Sequence, residues 1–262
     1  MATYLDRILA AHRAAAAADE RSLADLIEAA HSIATPRGFA AALADAATAG
    51  VAVIAEVKRR SPSKGDLAVA LDPAVMGAAY AAGGATCLSV LTDAEFFGGS
   101  VPDLRAARDA VTVPVLRKDF TVDLRDVCDT RLMGADAALL IVAALDDSEL
   151  ASMHGLAVEL GLDALVEVHD EHELERALAV GATLVGVNQR DLVSFEVDTD
   201  RAARVAAAMP PGIVRVAESG ISSPRDLPAL IAAGFHAVLV GESVVTSRDP
   251  AASVAALRAV RG

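Results

Sequence analysis

The 262-residue sequence predicts an α/β protein: a single (β/α)8 TIM barrel over residues 51–262, preceded by an N-terminal helical extension over residues 1–50. Short β-branched runs alternate with Ala- and Leu-rich segments of helical period. The runs begin 20 to 34 residues apart, which is the length of one strand, one helix and two loops. They are also continuously apolar, as strands buried on both faces are. A doubly wound sheet is the alternative, but it rarely repeats so evenly.

Each strand of the predicted barrel is one of these runs. In chain order they are Val51–Val57, Ala85–Val90, Val113–Leu116, Ala137–Val142, Ala164–Val168, Leu184–Val187, Ile213–Ala217 and Ala237–Val240. Several runs follow a glycine at the end of a helical segment, where a left-handed residue turns the chain into the next strand. Before the first run, helical period is found in Tyr4–Ala17, Leu23–Ala30 and Phe39–Ala49. We expect this extension to cover one face of the barrel.

Composition and charge narrow the classes of partner. The chain has 36 acidic and 23 basic residues, a net charge of −13, no Trp and no basic run. A nucleic-acid partner is therefore not expected. The longest apolar run, Ala137–Leu145, is about half of the roughly 20 residues that a membrane-spanning helix needs. We expect a cytoplasmic protein with no membrane partner, whose two cysteines form neither a disulfide framework nor a metal site.

Polar residues cluster at the carboxyl ends of the predicted strands, where barrels of this kind build their active sites. Glu56 and Lys58 are two apart and therefore project the same way. With the others they would place two lysines and three glutamates in one concavity, where each shifts the pKa of its neighbours. The alternative is a set of ordinary solvated ion pairs. The candidate residues are Glu56, Lys58, Lys118, Glu167, Asn188, Glu218 and Ser219.

A second group of residues is suited to binding a phosphate and a planar ring. Loops after the seventh and eighth strands often hold phosphate through glycine N–H groups and a helix N-terminus. A purely structural role is the alternative: the serines would cap helices, and the phenylalanines would pack in the core. The candidates are Ser61, Gly220, Gly241 and Ser243 for the phosphate, and Phe97 and Phe120 for the ring.

Two histidines, His169 and His172, lie three residues apart after the fifth strand. They suggest a metal pair, but the sequence offers no third ligand beside them. We interpret both as part of a solvated first helical turn, and we expect no metal and no cofactor.

Several of these segments resemble the indole-3-glycerol-phosphate synthases of tryptophan biosynthesis. The longest match is Ile-Ala-Glu-Val-Lys-Arg-Arg-Ser-Pro-Ser-Lys-Gly at residues 54–65, and further matches follow in order around Lys118, Glu167, Asn188, Glu218 and Gly241. The resemblance covers essentially the whole chain. Gln189 departs from it, because Asn or Ala is commoner there.

The resemblance implies that the chain closes the indole ring of 1-(2-carboxyphenylamino)-1-deoxyribulose 5-phosphate, with loss of CO2 and water. It implies Lys118 as the general acid, with Glu167 and Lys58 completing the acid–base work. Glu56, Asn188, Glu218 and Ser219 would hold the sugar hydroxyls and orient the lysines. The phosphate and ring would bind to the second group, with Arg190 near an anionic part of the substrate.

Other interpretations stay open from the sequence. The two lysines could exchange roles, and a dedicated natural-product pathway would use the same residues as general tryptophan supply. A phosphoribosylanthranilate isomerase would instead use a Cys/Asp pair at strand ends, but Cys87 lies inside the second strand. A non-catalytic scaffold would have lost a lysine or glutamate from the mouth, and all are present. We expect a monomer.

Overall fold

The computed structural model describes residues 3–62, 64–191, 193 and 195–261, so Ser63 of the long matching segment lies outside them. Within these residues, eight parallel strands pair in sequence and close into a barrel, with β1 bonded to both β2 and β8. The predicted fold class is confirmed. The strands are β1 (Ala52–Val57), β2 (Cys87–Leu91), β3 (Val115–Lys118), β4 (Ala137–Ile141), β5 (Asp163–Val168), β6 (Leu184–Asn188), β7 (Val214–Glu218) and β8 (Ala237–Val240).

Helices alternate with the strands around the outside of the barrel. In chain order they are α1 (Tyr4–Ala17), α2 (Leu23–His31), α3 (Phe39–Ala47), α4 (Pro73–Ala82), α5 (Val101–Asp109), α6 (Leu124–Leu132), α7 (Asp147–Glu159), α8 (Glu171–Ala179), α9 (Thr199–Ala208), α10 (Leu227–Ala232), α11 (Glu242–Val245) and α12 (Pro250–Arg258). A short antiparallel hairpin pairs Arg60–Ser61 with Gly65–Asp66 in the loop after β1. No helix in the described ranges combines the length and apolarity needed to cross a membrane.

Glycines turn the chain from several helices into the next strand, as the sequence predicts. Gly84, Gly134, Gly181 and Gly234 have φ values of 88°, 88°, 80° and 84°. In this left-handed region only glycine avoids a steric penalty from its side chain. Each therefore marks the point at which an outer helix stops and the chain returns to the barrel.

The barrel closes where its first and last strands meet. Ile54 of β1 lies opposite Leu239 of β8 on one side and Cys87 of β2 on the other. All six residues of β1 are buried, including Glu56 near its carboxyl end. Closure therefore places the carboxyl ends of the first and last strands next to each other at the mouth of the barrel.

The N-terminal extension reaches both ends of the barrel, so the expectation that it covers one face is wrong. At the amino ends of the strands, Phe39 of α3 is fully buried and the Ala40 N–H donates to Asp163 at 2.9 Å. At the opposite end, His12 of α1 lies 2.9 Å from the Asp93 carboxylate in the loop after β2. Helix α2, which lies between α1 and α3 in the sequence, packs along α6. The extension therefore passes from one end of the barrel to the other along its outside.

Candidate active site

A cavity of about 360 Å³ opens at the carboxyl ends of the strands. All the candidate residues named from the sequence line it. They are Glu56, Lys58, Ser61, Phe97, Lys118, Phe120, Glu167, Asn188, Arg190, Glu218, Ser219, Gly220, Gly241 and Ser243. The structure therefore brings residues from separate strand ends together in one concavity.

Lys118, the last residue of β3, lies at the centre of the charged residues. Its Nζ is 3.3 Å from Oε2 of Glu167 and 3.8 Å from Oε2 of Glu218. The other carboxylate oxygen of Glu167 accepts a hydrogen bond from Nδ2 of Asn188 at 3.0 Å. Glu167 is therefore held at both oxygens, one by a cation and the other by an amide.

Lys118 and Glu167 stabilise each other's charged forms. Burial disfavours the ammonium of Lys118, but the charges of Glu167, Glu218 and Glu56 outweigh this, and its pKa is raised above its usual value. Burial likewise disfavours the Glu167 carboxylate, but the charges of Lys118 and His169 and the hydrogen bond from Asn188 more than compensate, and the pKa of Glu167 is lowered. At neutral pH this pair is an ammonium and a carboxylate.

Glu218, at the end of β7, is in a different state. It is 2% exposed. Burial raises its pKa to about 8, with a further contribution from the negative charge of Glu167, and the attraction of Lys118 only partly opposes this. A carboxyl group with this pKa is mostly protonated at neutral pH, so it can donate a hydrogen bond. Two neighbouring glutamates therefore differ in charge because Glu167 has the stronger set of partners.

The second lysine forms a separate pair at the end of β1. Nζ of Lys58 is 2.5 Å from Oε1 of Glu56, so both side chains project into the mouth as their spacing predicts. The backbone of Gly241 lies against this pair. A Cβ atom at Gly241 would be 2.4 Å from Oε1 of Glu56 and 3.1 Å from Nζ of Lys58. The loop after β8 can approach the pair this closely only with glycine.

The backbone after β7 is strained where it enters the cavity wall. Ser219 has a φ of 65° and Gly220 one of 73°, so two successive residues are left-handed. A serine in this region is uncommon and costs energy. Nε2 of Gln189 donates to the Ser219 carbonyl at 2.8 Å. Gln189 is buried, so the residue that departs from the resemblance stabilises this turn.

One end of the cavity is suited to a small anion. The hydroxyl of Ser61 is buried and has no hydrogen-bond partner among the residues that the structure describes. The Ser243 hydroxyl, in α11, donates to the Ile221 carbonyl at 3.3 Å. The Arg190 guanidinium, on the β6 side, donates to the Phe195 carbonyl at 3.1 Å. These groups line the same cavity as the left-handed turn.

Aromatic rings form another wall. The centroids of Phe97 and Phe120 are 6.2 Å apart, at 38° to each other. His12 of α1 packs against Phe120 with a centroid distance of 5.6 Å. The Asp93 carboxylate, which contacts His12, also accepts the backbone N–H of Phe97 at 3.0 Å. The N-terminal extension therefore supports the wall, although none of its described residues, from Thr3 onward, lines the cavity.

Sequence reasoning missed the apolar floor of the cavity and one of its aromatic residues. Leu139, Ile141 and Leu239 lie on the floor, and Phe195 lies at the rim. Leu139 and Ile141 are two apart on β4 and therefore point the same way, a signal available in the sequence. Phe195 has a φ of 61°, which no local pattern indicates.

The interpretation of His169 as a solvated residue is wrong. Its side chain is 11% exposed, and its Nδ1 atom lies 3.0 Å from Oε2 of Glu173 in α8. His172, three residues further along, is exposed as expected. The difference arises because His169 follows β5 directly and lies between that strand and the first turn of α8.

Comparisons with known proteins agree with the geometry. Residues 5–257 match the family model described as indole-3-glycerol phosphate synthase. Similar curated proteins of that name are those of Nocardioides sp., 52% identical over 96% of both chains, and Mycobacterium leprae, 51% identical over 98% of this chain and 94% of the relative. The Mycobacterium tuberculosis protein of the same name is 50% identical over the same shares.

Solved structures show the same fold at much lower identity. A 3-hexulose-6-phosphate synthase matches with a TM-score of 0.63 at 18% identity, over 81% of this chain and all of the other. A thiamine phosphate pyrophosphorylase from Pyrococcus furiosus matches with a TM-score of 0.59 at 15% identity, over 81% of this chain and 95% of the other. These two support the barrel alone, whereas the family model and the curated relatives extend over nearly the whole sequence. The chain therefore belongs to the indole-3-glycerol phosphate synthase family.

Proposed function

We propose that Lys118 is the principal general acid of the ring closure that gives this family its name. The enzyme is a carboxy-lyase of tryptophan biosynthesis. Its substrate, 1-(2-carboxyphenylamino)-1-deoxyribulose 5-phosphate, joins a planar acid to an opened sugar phosphate. The single observation that carries the proposal is the position of the Lys118 ammonium, half-buried between two glutamates at the centre of the cavity.

The first step makes a carbon–carbon bond. The ring carbon that bears the carboxylate attacks the ketone, and the ketone oxygen takes a proton from Lys118 to become a hydroxyl. The raised pKa of Lys118 keeps the ammonium charged until negative charge develops on that oxygen. An alkoxide is far more basic than an amine, so the transfer is then favourable. Loss of CO2 restores the aromatic ring.

The second step removes water. The new hydroxyl leaves with a proton from Lys58, while Glu167 takes a proton from the five-membered ring. The lowered pKa of Glu167 supports a base that is ionised at neutral pH. Lys58 is already paired with Glu56 at 2.5 Å, so its position is fixed before substrate binds. Asn188, Glu218 and Ser219 would hold the sugar hydroxyls.

The two ends of the substrate fit the two ends of the cavity. We assign the phosphate to Ser61, Gly220, Gly241 and Ser243, because the buried hydroxyl of Ser61, the half-buried Ser243 and the two glycines line the same cavity. The planar ring would lie along Phe97 and Phe120. Arg190, on the β6 side, would face an anionic group of the substrate. The small-molecule phosphate is the only partner the proposal needs, and we propose a monomer that works in the cytoplasm.

The test is indole formation by purified protein, followed by fluorescence without added metal. We expect Lys118→Ala to lower kcat by about 10²- to 10⁴-fold, the usual contribution of a general acid, with the fold and inorganic phosphate binding retained. Lys64→Ala is the matched control, because Lys64, in the hairpin after β1, is an exposed lysine that does not line the cavity. Turnover like that of the wild type in Lys118→Ala would refute the assignment.

A further inference from the structure

His169 lies beside Glu167, just past the end of β5. The two residues are separated by one position at the end of β5, and Nε2 of His169 is 3.7 Å from Oε1 of Glu167. Among the described residues that line the cavity, His169 does not appear. Because it does not line the cavity, we expect its effect on the reaction to pass through Glu167.

The orientation of the imidazole is fixed by α8. Oε2 of Glu173 accepts the backbone N–H of His169 at 2.7 Å and lies 3.0 Å from its Nδ1. Glu173 is itself positioned because its backbone N–H donates to Asp170, the N-cap of the helix. A carboxylate accepts hydrogen bonds only, so Nδ1 carries a proton.

That proton determines what Nε2 presents to Glu167. In a neutral ring protonated at Nδ1, Nε2 is an acceptor, and its lone pair would face a carboxylate oxygen. Nε2 is buried, and no described residue gives it a hydrogen-bond partner. A buried acceptor beside an anion is costly, whereas a proton on Nε2 turns the same contact into an attraction.

We propose that His169, held by Glu173, is a positioning residue that keeps Glu167 ionised and oriented by presenting an imidazolium to it. The proposal rests on the role of Glu167 as the base in the proposed function. It adds a third group to the pair of Lys118 and Glu167, in the way that an orienting group supports a catalytic base.

The charges around His169 support this state. Burial disfavours the charged ring, but the hydrogen bond to Glu173 and the negative charge of Glu167 outweigh it, and the pKa of His169 is raised. Arg201 of α9 acts in the opposite direction. Lys118 from β3 and Asn188 from β6 contact Glu167, and Glu218 from β7 lies beside them. The carboxylates of Glu173 and Glu167 thus affect the pKa of His169 more strongly than Arg201 does.

The first test is the pH dependence of kcat/KM in His169→Asn. Loss of the cation raises the pKa of Glu167, so the acid limb should move to higher pH by about one unit. On the acid side this is about a tenfold loss of kcat/KM. We expect Glu173→Gln to shift the limb in the same direction by less, and His172→Asn, the matched control, to leave it unchanged. An acid limb unmoved in both His169→Asn and Glu173→Gln would overturn the inference.

The second test needs no turnover. In ¹⁵N-histidine NMR, the resonances lost in His169→Asn identify His169 in the wild type. We expect the pKa of His169 to lie above the usual value of a histidine and to fall in Glu167→Gln, because the negative neighbour is gone. Unchanged titration of His169 in an inactive Glu167→Gln variant would overturn this inference alone. Retained turnover in Glu167→Gln would instead overturn the proposed function.

Discussion

Glu218 makes the stability of the folded chain depend on pH in an unusual direction. Most carboxylates stabilise a fold above their unfolded pKa, but the pKa of Glu218 is raised from 4.5 to about 8 by burial beside Glu167. The folded state therefore binds this proton more tightly than the unfolded state does. Stability from this group is greatest below pH 4.5, declines through the interval between the two pKa values, and is gone above pH 8.

The size of the effect follows from the same two values. Between pH 6 and pH 9 the proton of Glu218 is lost from the folded state, which removes about 2 to 3 kcal/mol of stability. For a chain of this size that corresponds to a fall in Tm of about 4 to 12 °C. Glu218→Gln replaces the neutral acid by a neutral amide of nearly the same shape, so it should abolish this component.

The assay compares Tm at pH 6 and pH 9 for the wild type and Glu218→Gln. Histidines with raised pKa values also lose stability in this range, but they are common to both proteins and cancel in the difference. We expect the variant to lose less stability than the wild type over the interval. Glu242→Gln, at the exposed rim of the same mouth, is the matched control. Identical pH dependence in wild type and Glu218→Gln would refute the argument that Glu218 is protonated at neutral pH.

Three further substitutions test the surroundings of the site. Gly241→Ala would place a methyl group 2.4 Å from Oε1 of Glu56, so we expect a folded protein whose kcat falls at least about tenfold, measured by indole fluorescence. Gln189→Ala removes the 2.8 Å hydrogen bond to Ser219, and we expect a loss of about 1 to 2 kcal/mol in thermal or urea unfolding; an unchanged Tm would contradict this. The pKa of His12 is raised because its carboxylate partners outweigh burial, so His12→Ala should cost more stability at pH 6 than at pH 9, and an equal loss would count against that pair.

The barrel architecture can be predicted from the sequence because each strand is recognisable from its own residues. Ala137–Val142 was predicted within one residue of β4, since a run of small and β-branched residues between two turns needs no distant partner to be recognised. The ends of the strands are predicted less accurately. The sequence places Lys118, Asn188 and Glu218 after their strands, but they are the last strand residues, and each contacts a side chain from another strand.

Contacts between distant parts of the chain account for what the sequence did not show. The pairing of His12 with Asp93 joins a helix of the extension to a loop 81 residues away, and no periodicity indicates it. His169 was interpreted from its neighbours in sequence, whereas its burial depends on how α8 returns against β5. Cys87 is buried at the start of β2, where its Sγ contacts the Phe39 carbonyl, so it lies far from the mouth.

The pairing of β1 with β8 has a consequence for how the enzyme is made. Glu56 and Lys58 are among the first barrel residues to leave the ribosome, but Gly241, which packs against them, is among the last. Until β8 has emerged, β1 has one unpaired edge and its two charged side chains lack the backbone that encloses them. The growing chain can therefore form helices and strand pairs during synthesis, but it gains its catalytic site in one late event, when the final strand closes the ring.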